Sequence, residues 1–242
     1  MVKSITLSTR LATVASYIKK GAFFADIGSD HAYLPCYVCM HDDTARAIAG
    51  EVNKGPFKSA IETVDTYKLS GVIDVRLGNG LEVISPNEGL DHLIIAGMGG
   101  TLIKSILAGG KSKLENMERI IAQPNVDAKS VRKWLRDNHY FISDESIVKE
   151  NGHIYEIIVA DKIMNHLPVD NAPTDKELLF GPVLLRNKSK NFFEKWKHEH
   201  DKLQRVINQM KNAKVENKEK IIQFEEELSW MEEVLQDEKF MY

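Results

Sequence analysis

Four short apolar runs constrain this chain more than any other feature. Phe23 to Ile27, Ala45 to Ala49, Leu93 to Ala96 and Ile120 to Ala122 each give way to turn-forming or polar residues. Runs of that length and character read as parallel strands covered on both faces, and the segments between them can hold crossover helices. Val72 to Leu77 adds a further strand, and residues 139–148 and 153–161 read as a terminal β-hairpin around Asn151-Gly152. Ahead of them, Leu7, Leu11, Val14 and Ile18 fall at helical spacing behind a cap at Ser8. The expected fold class is α/β, a Rossmann-like doubly wound sheet over residues 1–161.

The rest of the chain reads differently. Residues 162–187 carry Pro168, Pro173, Gly181 and Pro182 and predict a linker. Its apolar pieces, Leu178 to Phe180 and Val183 to Leu185, are expected to dock on the main domain. Residues 188–238 contain neither Gly nor Pro. Phe193, Trp196, His200, Leu203, Ile207 and Met210 repeat at intervals of three and four, as do Ile221, Phe224, Leu228, Met231 and Leu235. Two such heptad seams joined by polar residues predict a C-terminal α-helical coiled-coil hairpin over 188–242, which also offers a surface for a homodimer. Charge separates its arms. Arg186 to Lys214 holds nine Lys or Arg against three acids, a net +6, and Val215 to Tyr242 holds three against nine, a net −6. Opposite charges can pair across the hairpin. A basic arm can also meet a polyanion, with Lys188, Lys190, Lys195, Lys197, Lys202 and Arg205 as the contacts.

Composition bounds the function. A net charge of −3 excludes a uniformly basic nucleic-acid binder but leaves room for a local basic patch. No run of about 18 apolar residues predicts a membrane span, and the first residues lack the apolar core of a secretory signal. The two cysteines are too few for a disulfide framework. The expected compartment is the cytoplasm. Cys36-Tyr37-Val38-Cys39 has no second pair and apolar neighbours, so it reads as packing. The eight histidines show no metalloprotease spacing, and no metal is expected.

The chemistry concentrates at strand ends, where open α/β sheets bind ligands. Asp26 and Gly28 stand at the end of the first strand, within Asp26-Ile27-Gly28-Ser29-Asp30-His31. An acid closing a strand with glycine two residues on is how the nucleoside-binding turn of methyltransferases opens. Gly28 admits close backbone approach, and Asp26 suits the cationic end of a methionine moiety. The usual pattern puts two more glycines where Asp30 and Ala32 stand. Glu51 follows the second strand, where a carboxylate can accept both hydroxyls of a ribose diol. Gly78-Asn79-Gly80 follows the third and can read an adenine edge, although Asn-Gly is also an ordinary turn. Gly97-Met98-Gly99-Gly100 follows the fourth, with room for a flat base. Gln123-Pro124-Asn125 ends the fifth and can bond a base edge. A dehydrogenase needs a second glycine where Asp30 stands, and Asp30 would repel a pyrophosphate.

These residues resemble a family. Leu7-Ser8-Thr9-Arg10-Leu11, Asp26 to Pro35, Ile95 to Gly100 and Gln123-Pro124-Asn125 are together similar to the bacterial tRNA (adenine-22-N1)-methyltransferases, which also lack the later glycines. The resemblance implies a class I methyltransferase domain, S-adenosyl-L-methionine as donor, tRNA as partner and N1 of an adenine as acceptor. It implies that Asp26, Gly28, His31, Glu51, Asn79 and Gly97 line the cofactor, with Arg10 near its carboxylate; their neighbours Ser29, Gly78 and Met98 are expected to join them. Catalytic work falls to Asp30, facing the charge that develops on the base, with Gln123 and Asn125. Asp30 could instead cap the following helix. Rival readings are a methyltransferase for protein or a small molecule, and a non-catalytic cofactor-sensing adaptor.

Overall fold

The structure is a computed structural model that describes residues 4–163, 172–213 and 217–240, with 239 and 240 by backbone alone. These fall into two compact units, Met1–Ala172 and Pro173–Tyr242.

The first unit opens with helix α1 (Thr9–Ser16), whose N-cap Ser8 accepts from the Leu11 N–H as expected. Strands β1 (Phe23–Ile27), β2 (Arg46–Glu51), β3 (Ile73–Leu77), β4 (His92–Met98) and β5 (Arg119–Pro124) follow, with helices α2 (Tyr33–His41), α3 (Lys54–Thr66), α4 (Gly100–Gly109) and α5 (Ala128–Asp137) between and after them. The hairpin β6 (Tyr140–Glu150) and β7 (His153–Lys162) ends the unit. Sheet order is β3-β2-β1-β4-β5-β7-β6. β1 to β5 run parallel, and β7 pairs antiparallel with both β5 and β6. The order reverses between β1 and β4, which opens a crevice at their C-terminal ends.

The predicted strands are all present, and β2, β4 and β5 run further than their apolar runs. Glu51 is the last residue of β2, and Gln123 and Pro124 close β5. Ladder hydrogen bonds do not depend on side-chain polarity, so a strand can carry polar residues at the end that faces a ligand. Phe24, Leu93, Ile94, Ile95, Ile120 and Ile121 are fully buried in the centre of the sheet. Cys36 and Cys39 are free thiols inside apolar α2, and burial pushes each up to about 12. They pack rather than react.

In the second unit, residues 164–171 of the expected linker lie outside the described residues. Short helices α6 (Asp175–Phe180) and α7 (Pro182–Arg186) precede α8 (Lys190–Lys211) and α9 (Lys218–Gln236). The sequence reading sends residues 178–185 to the main domain. The ring contacts of Phe180 are with Phe192 and Trp196 of α8. Lys188 meets Asp237 and Lys211 meets Glu225, so α8 and α9 lie antiparallel. Of the seam residues, Phe193, Trp196, Ile207, Ile221, Leu228 and Met231 are buried.

Candidate active site

The loop from β1 to α2 is strained. Gly28 has φ +71°, and Asp30, His31 and Ala32 follow at +44°, +72° and +57°. Left-handed backbone costs a non-glycine residue about 1 kcal/mol or more. The two missing glycines are therefore missing in residue type only, because the backbone at Asp30 and Ala32 still takes the conformation glycine favours. The turn aims N–H groups inward. Gly28 and Ser29 donate to the Gly50 carbonyl at 2.9 and 3.2 Å, and Asp30 donates to Glu51 Oε1. Two strand ends and the loop are thereby held together. Ala32 stands at the N-cap of α2, which has no side-chain cap bond. Asp30 does not cap this helix. Its carboxylate is 80% exposed and lies 3.5 Å from His31 Nε2.

Asp26 and Glu51 are buried acids that, among the described residues, carry no ion pair. Burial pushes Asp26 up to about 7, against the pull of the Ser29 hydroxyl, which donates to it at 2.6 Å. Burial also raises Glu51, while the Asp30 N–H lowers it. Neutral Asp26 is thus well populated near neutral pH until a cation arrives. Gly78 donates to the Glu51 carbonyl at 2.8 Å, and Asn79 is exposed beyond it at the head of the 3-10 turn Gly80–Val83.

On the other side of the switch point a second network forms. Arg10 Nη1 donates to Gln123 Oε1, which also accepts from the Gly97 N–H at 3.0 Å. Gln123 Nε2 donates to Asn125 Oδ1 at 3.2 Å, and Asn125 Nδ2 donates to the Gly97 carbonyl at 2.7 Å. Gln123 is fully buried with both ends of its amide engaged. Its amide is engaged by Arg10, Gly97 and Asn125, an arrangement that orients Arg10 and Gly97 and departs from the base contact expected of it. Asn125 is exposed and keeps access to a ligand. The networks meet where a Cβ on Gly28 would fall 2.3 Å from Met98 Cε. Among the glycines at the end of β4 and the start of α4, a Cβ on Gly97 (φ +78°) or Gly99 would make only ordinary contacts, with Arg10 Nη1 at 3.6 Å and Val126 Cγ2 at 3.8 Å, whereas a Cβ on Gly100 would sit 1.9 Å from the Asp127 carbonyl oxygen. Gly100 therefore serves helix packing. Of the thirteen residues expected at the cofactor or reacting base, Arg10 belongs to α1 and the other twelve to the C-terminal ends of β1, β2, β4 and β5 or the loops after β1, β3 and β5. Sequence reasoning missed Glu150, which accepts from the Arg10 N–H at 3.3 Å, and Tyr155, whose ring centre lies 5.3 Å from the Arg10 guanidinium. They come from the hairpin, and no local motif marks them.

The six residues expected to bind tRNA lie in the second unit. Lys188 pairs with Asp237 at 2.8 Å, Lys197 reaches Glu238 at 3.8 Å and Lys202 meets Glu199 at 3.6 Å. Lys195 lies over the Trp196 ring. Charge pairing across the hairpin is thus present, and Lys190, Lys197, Lys202 and Arg205 remain exposed to solvent.

Comparison with known proteins agrees with this architecture. The Bacillus subtilis (strain 168) tRNA (adenine(22)-N(1))-methyltransferase is 42% identical over 236 residues, 97% of this chain and 99% of that protein. The crystal structure of the B. subtilis m1A22 tRNA methyltransferase TrmK superposes with a TM-score of 0.87 at 43% identity, covering 96% of this chain and 99% of that one. A Streptococcus pneumoniae protein solved with S-adenosyl-L-methionine superposes at 0.81 and 37% identity, covering 95% of this chain and 100% of that one. The family model for tRNA (adenine(22)-N(1))-methyltransferase matches residues 24–233. A match running from β1 almost to the end of α9 spans both units, and the chain belongs to the tRNA (adenine(22)-N(1))-methyltransferase family.

Proposed function

We propose that this protein methylates N1 of adenine 22 in tRNA with S-adenosyl-L-methionine as donor. One observation carries the reading: two buried acids without cationic partners close adjacent strands, tied together by a left-handed turn. The residues fit the donor. Asp26 suits a cationic ligand, Glu51 retains a carboxylate oxygen for a ribose diol, and Arg10, oriented by Gln123, suits a carboxylate. Gly97 takes a left-handed φ of +78° and carries no side chain to hold a ligand off its backbone. When bound, the donor supplies an electrophilic methyl on a sulfonium.

N1 of adenine has its own lone pair, so the chain needs no strong base. It must expose N1, hold it in line and stabilise the cation that forms. Extruding a stacked base costs a few kcal/mol. Asp30 is the acid exposed at the crevice, and its carboxylate stabilises the developing charge. At about 4 Å such a pair is worth up to roughly 4 kcal/mol, and less with water between. Asn125 orients the base edge. The exposed basic residues of α8 hold the tRNA backbone, supported by the net +6 of that arm. The heptad seam is buried within one hairpin, so a homodimer would have to pair the outer faces of α8 and α9, and sedimentation equilibrium would reveal it as twice the chain mass. A tRNA substrate supports a cytoplasmic location. No helix of the described residues is long and apolar enough to cross a membrane. The test is transfer of labelled methyl to tRNA lacking the modification. Formation of 1-methyladenosine is expected, and its absence with donor bound would overturn the reading.

A further inference from the structure

Nine large apolar side chains are exposed among the described residues, and five of them rim the C-terminal end of the sheet: Tyr33, Val52, Leu77, Leu102 and Val126. Val52 and Leu77 follow and close β2 and β3 beside Glu51 and Gly78, on the side read above as the nucleoside half of the donor site. Leu102 and Val126 belong to the other side of the switch point, and nothing in the donor site uses them. They are 53% and 65% exposed.

The loops that present them are fastened together. Asn125 N–H donates to the Met98 carbonyl and Gly100 N–H to the Val126 carbonyl, each at 2.8 Å. The Thr101 hydroxyl donates to Asp127 Oδ2 at 2.8 Å. Asp127 takes a left-handed φ of +57°, and the missing Cβ of Gly100 lets α4 abut its carbonyl. This leaves Val126 directly after Asn125 and Leu102 in the first turn of α4, both held out into solvent by rigid backbone. Exposed apolar groups on a fastened, strained frame beside a reacting centre are disposed to contact a substrate.

We propose that Val126 and Leu102 form an apolar wedge that packs against the tRNA bases flanking the target adenine and holds the helix open while that adenine is in the crevice. This rests on the tRNA reading above. Apolar side chains that unstack a base step are a recurring device of nucleic-acid-binding proteins. The observations favour a wedge over a wall for the adenine itself, because both residues are more than half exposed.

The test places 2-aminopurine at the target position of a full-length tRNA and binds it to the whole enzyme with S-adenosylhomocysteine present. Wild type is expected to raise the fluorescence severalfold, and a Val126→Ser/Leu102→Ser variant to lose most of that rise. Its turnover on ordinary tRNA should fall about tenfold or more with cofactor affinity unchanged. An abasic residue opposite the target should restore turnover to within about threefold. Val126→Thr, nearly the same shape, gives an intermediate loss and guards against a folding defect, with thermal midpoints measured on both. Wild-type fluorescence and turnover in the double variant would overturn the wedge alone, as would a loss that the abasic substrate does not rescue. A wild-type enzyme that forms no 1-methyladenosine would remove the tRNA reading and the wedge with it.

Discussion

The crevice and the hairpin are both rich in charge, and they treat it in opposite ways. In the crevice Asp26 and Glu51 are buried without a cation, and Asp26 is held near neutrality by burial. On the hairpin, Lys188, Lys211 and His200 meet acids of α9 or the turn after it at the surface. Buried, unpaired charge is expensive and persists where a ligand completes it. Exposed, paired charge costs little and contributes little. On the proposed reading, the crevice carries the chemistry at the expense of stability, while the hairpin presents charge without straining its fold.

The sharpest way to break that comparison is Asp26→Asn. Donor affinity should fall about a hundredfold, as expected for loss of a buried charge-assisted contact. Calorimetric titration checks it. The same substitution should raise the thermal midpoint at pH 8. The folded-state value of about 7 exceeds the ordinary 3.8, so between them the unfolded chain has released a proton that the folded chain keeps. Stability falls as pH rises through that window, and the amide removes the fall. In wild type, donor affinity should weaken as pH drops below about 7, since the cation needs the carboxylate. A midpoint unchanged at pH 8 would mean that Asp26 carries no burial cost.

Next in size, Asp30→Ala should lower turnover about thirtyfold, roughly 2 kcal/mol for a carboxylate that water partly screens. Donor binding should persist, because Glu51 takes only the Asp30 backbone N–H. Single-turnover kinetics would show it, and near-wild-type turnover would remove Asp30 from the chemistry.

A smaller effect is expected on the hairpin. Lys202→Gln with Arg205→Gln should weaken tRNA binding about tenfold at moderate salt and reduce the slope of log affinity against log salt by about 2. The thermal midpoint should hardly move. An unchanged slope would take these residues off the RNA.

Smallest of all, Lys188→Ala should cost no more than about 1 kcal/mol in denaturant unfolding, although it removes the ion pair with Asp237. A larger loss would show that the hairpin depends on its charges as the crevice does.

Much of this was legible before the fold was known. The short apolar runs located four of the seven strands, Val72 to Leu77 a fifth and the Asn151-Gly152 turn the last two, and the acid-x-glycine turn located the end of the first strand. Gln123 was placed at the end of the fifth strand, but its burial and its hydrogen bonds to Arg10, Gly97 and Asn125 had no signal in the sequence. Glu150 and Tyr155 were not read at all, since the partners of Arg10 lie about 140 residues away on a hairpin whose own pattern says only that it is a hairpin. Val126 gave no signal, because a lone valine between Asn125 and Asp127 belongs to no periodic pattern.

Local chemistry and periodicity by themselves determined the parallel strands, the helical hairpin, its division of charge, and the acids and glycines at the strand ends. These depend on nearest neighbours and on a repeat of two or three and a half residues, which a sequence displays directly. Tertiary structure alone decided which polar groups are spent on one another and which remain for a ligand. Gln123 is consumed by Arg10, Gly97 and Asn125, and Gly100 by Asp127, while Asp26 is left buried without a cation. That division depends on hydrogen bonds and desolvation between strands far apart in the chain, and only the packed crevice brings those groups within reach.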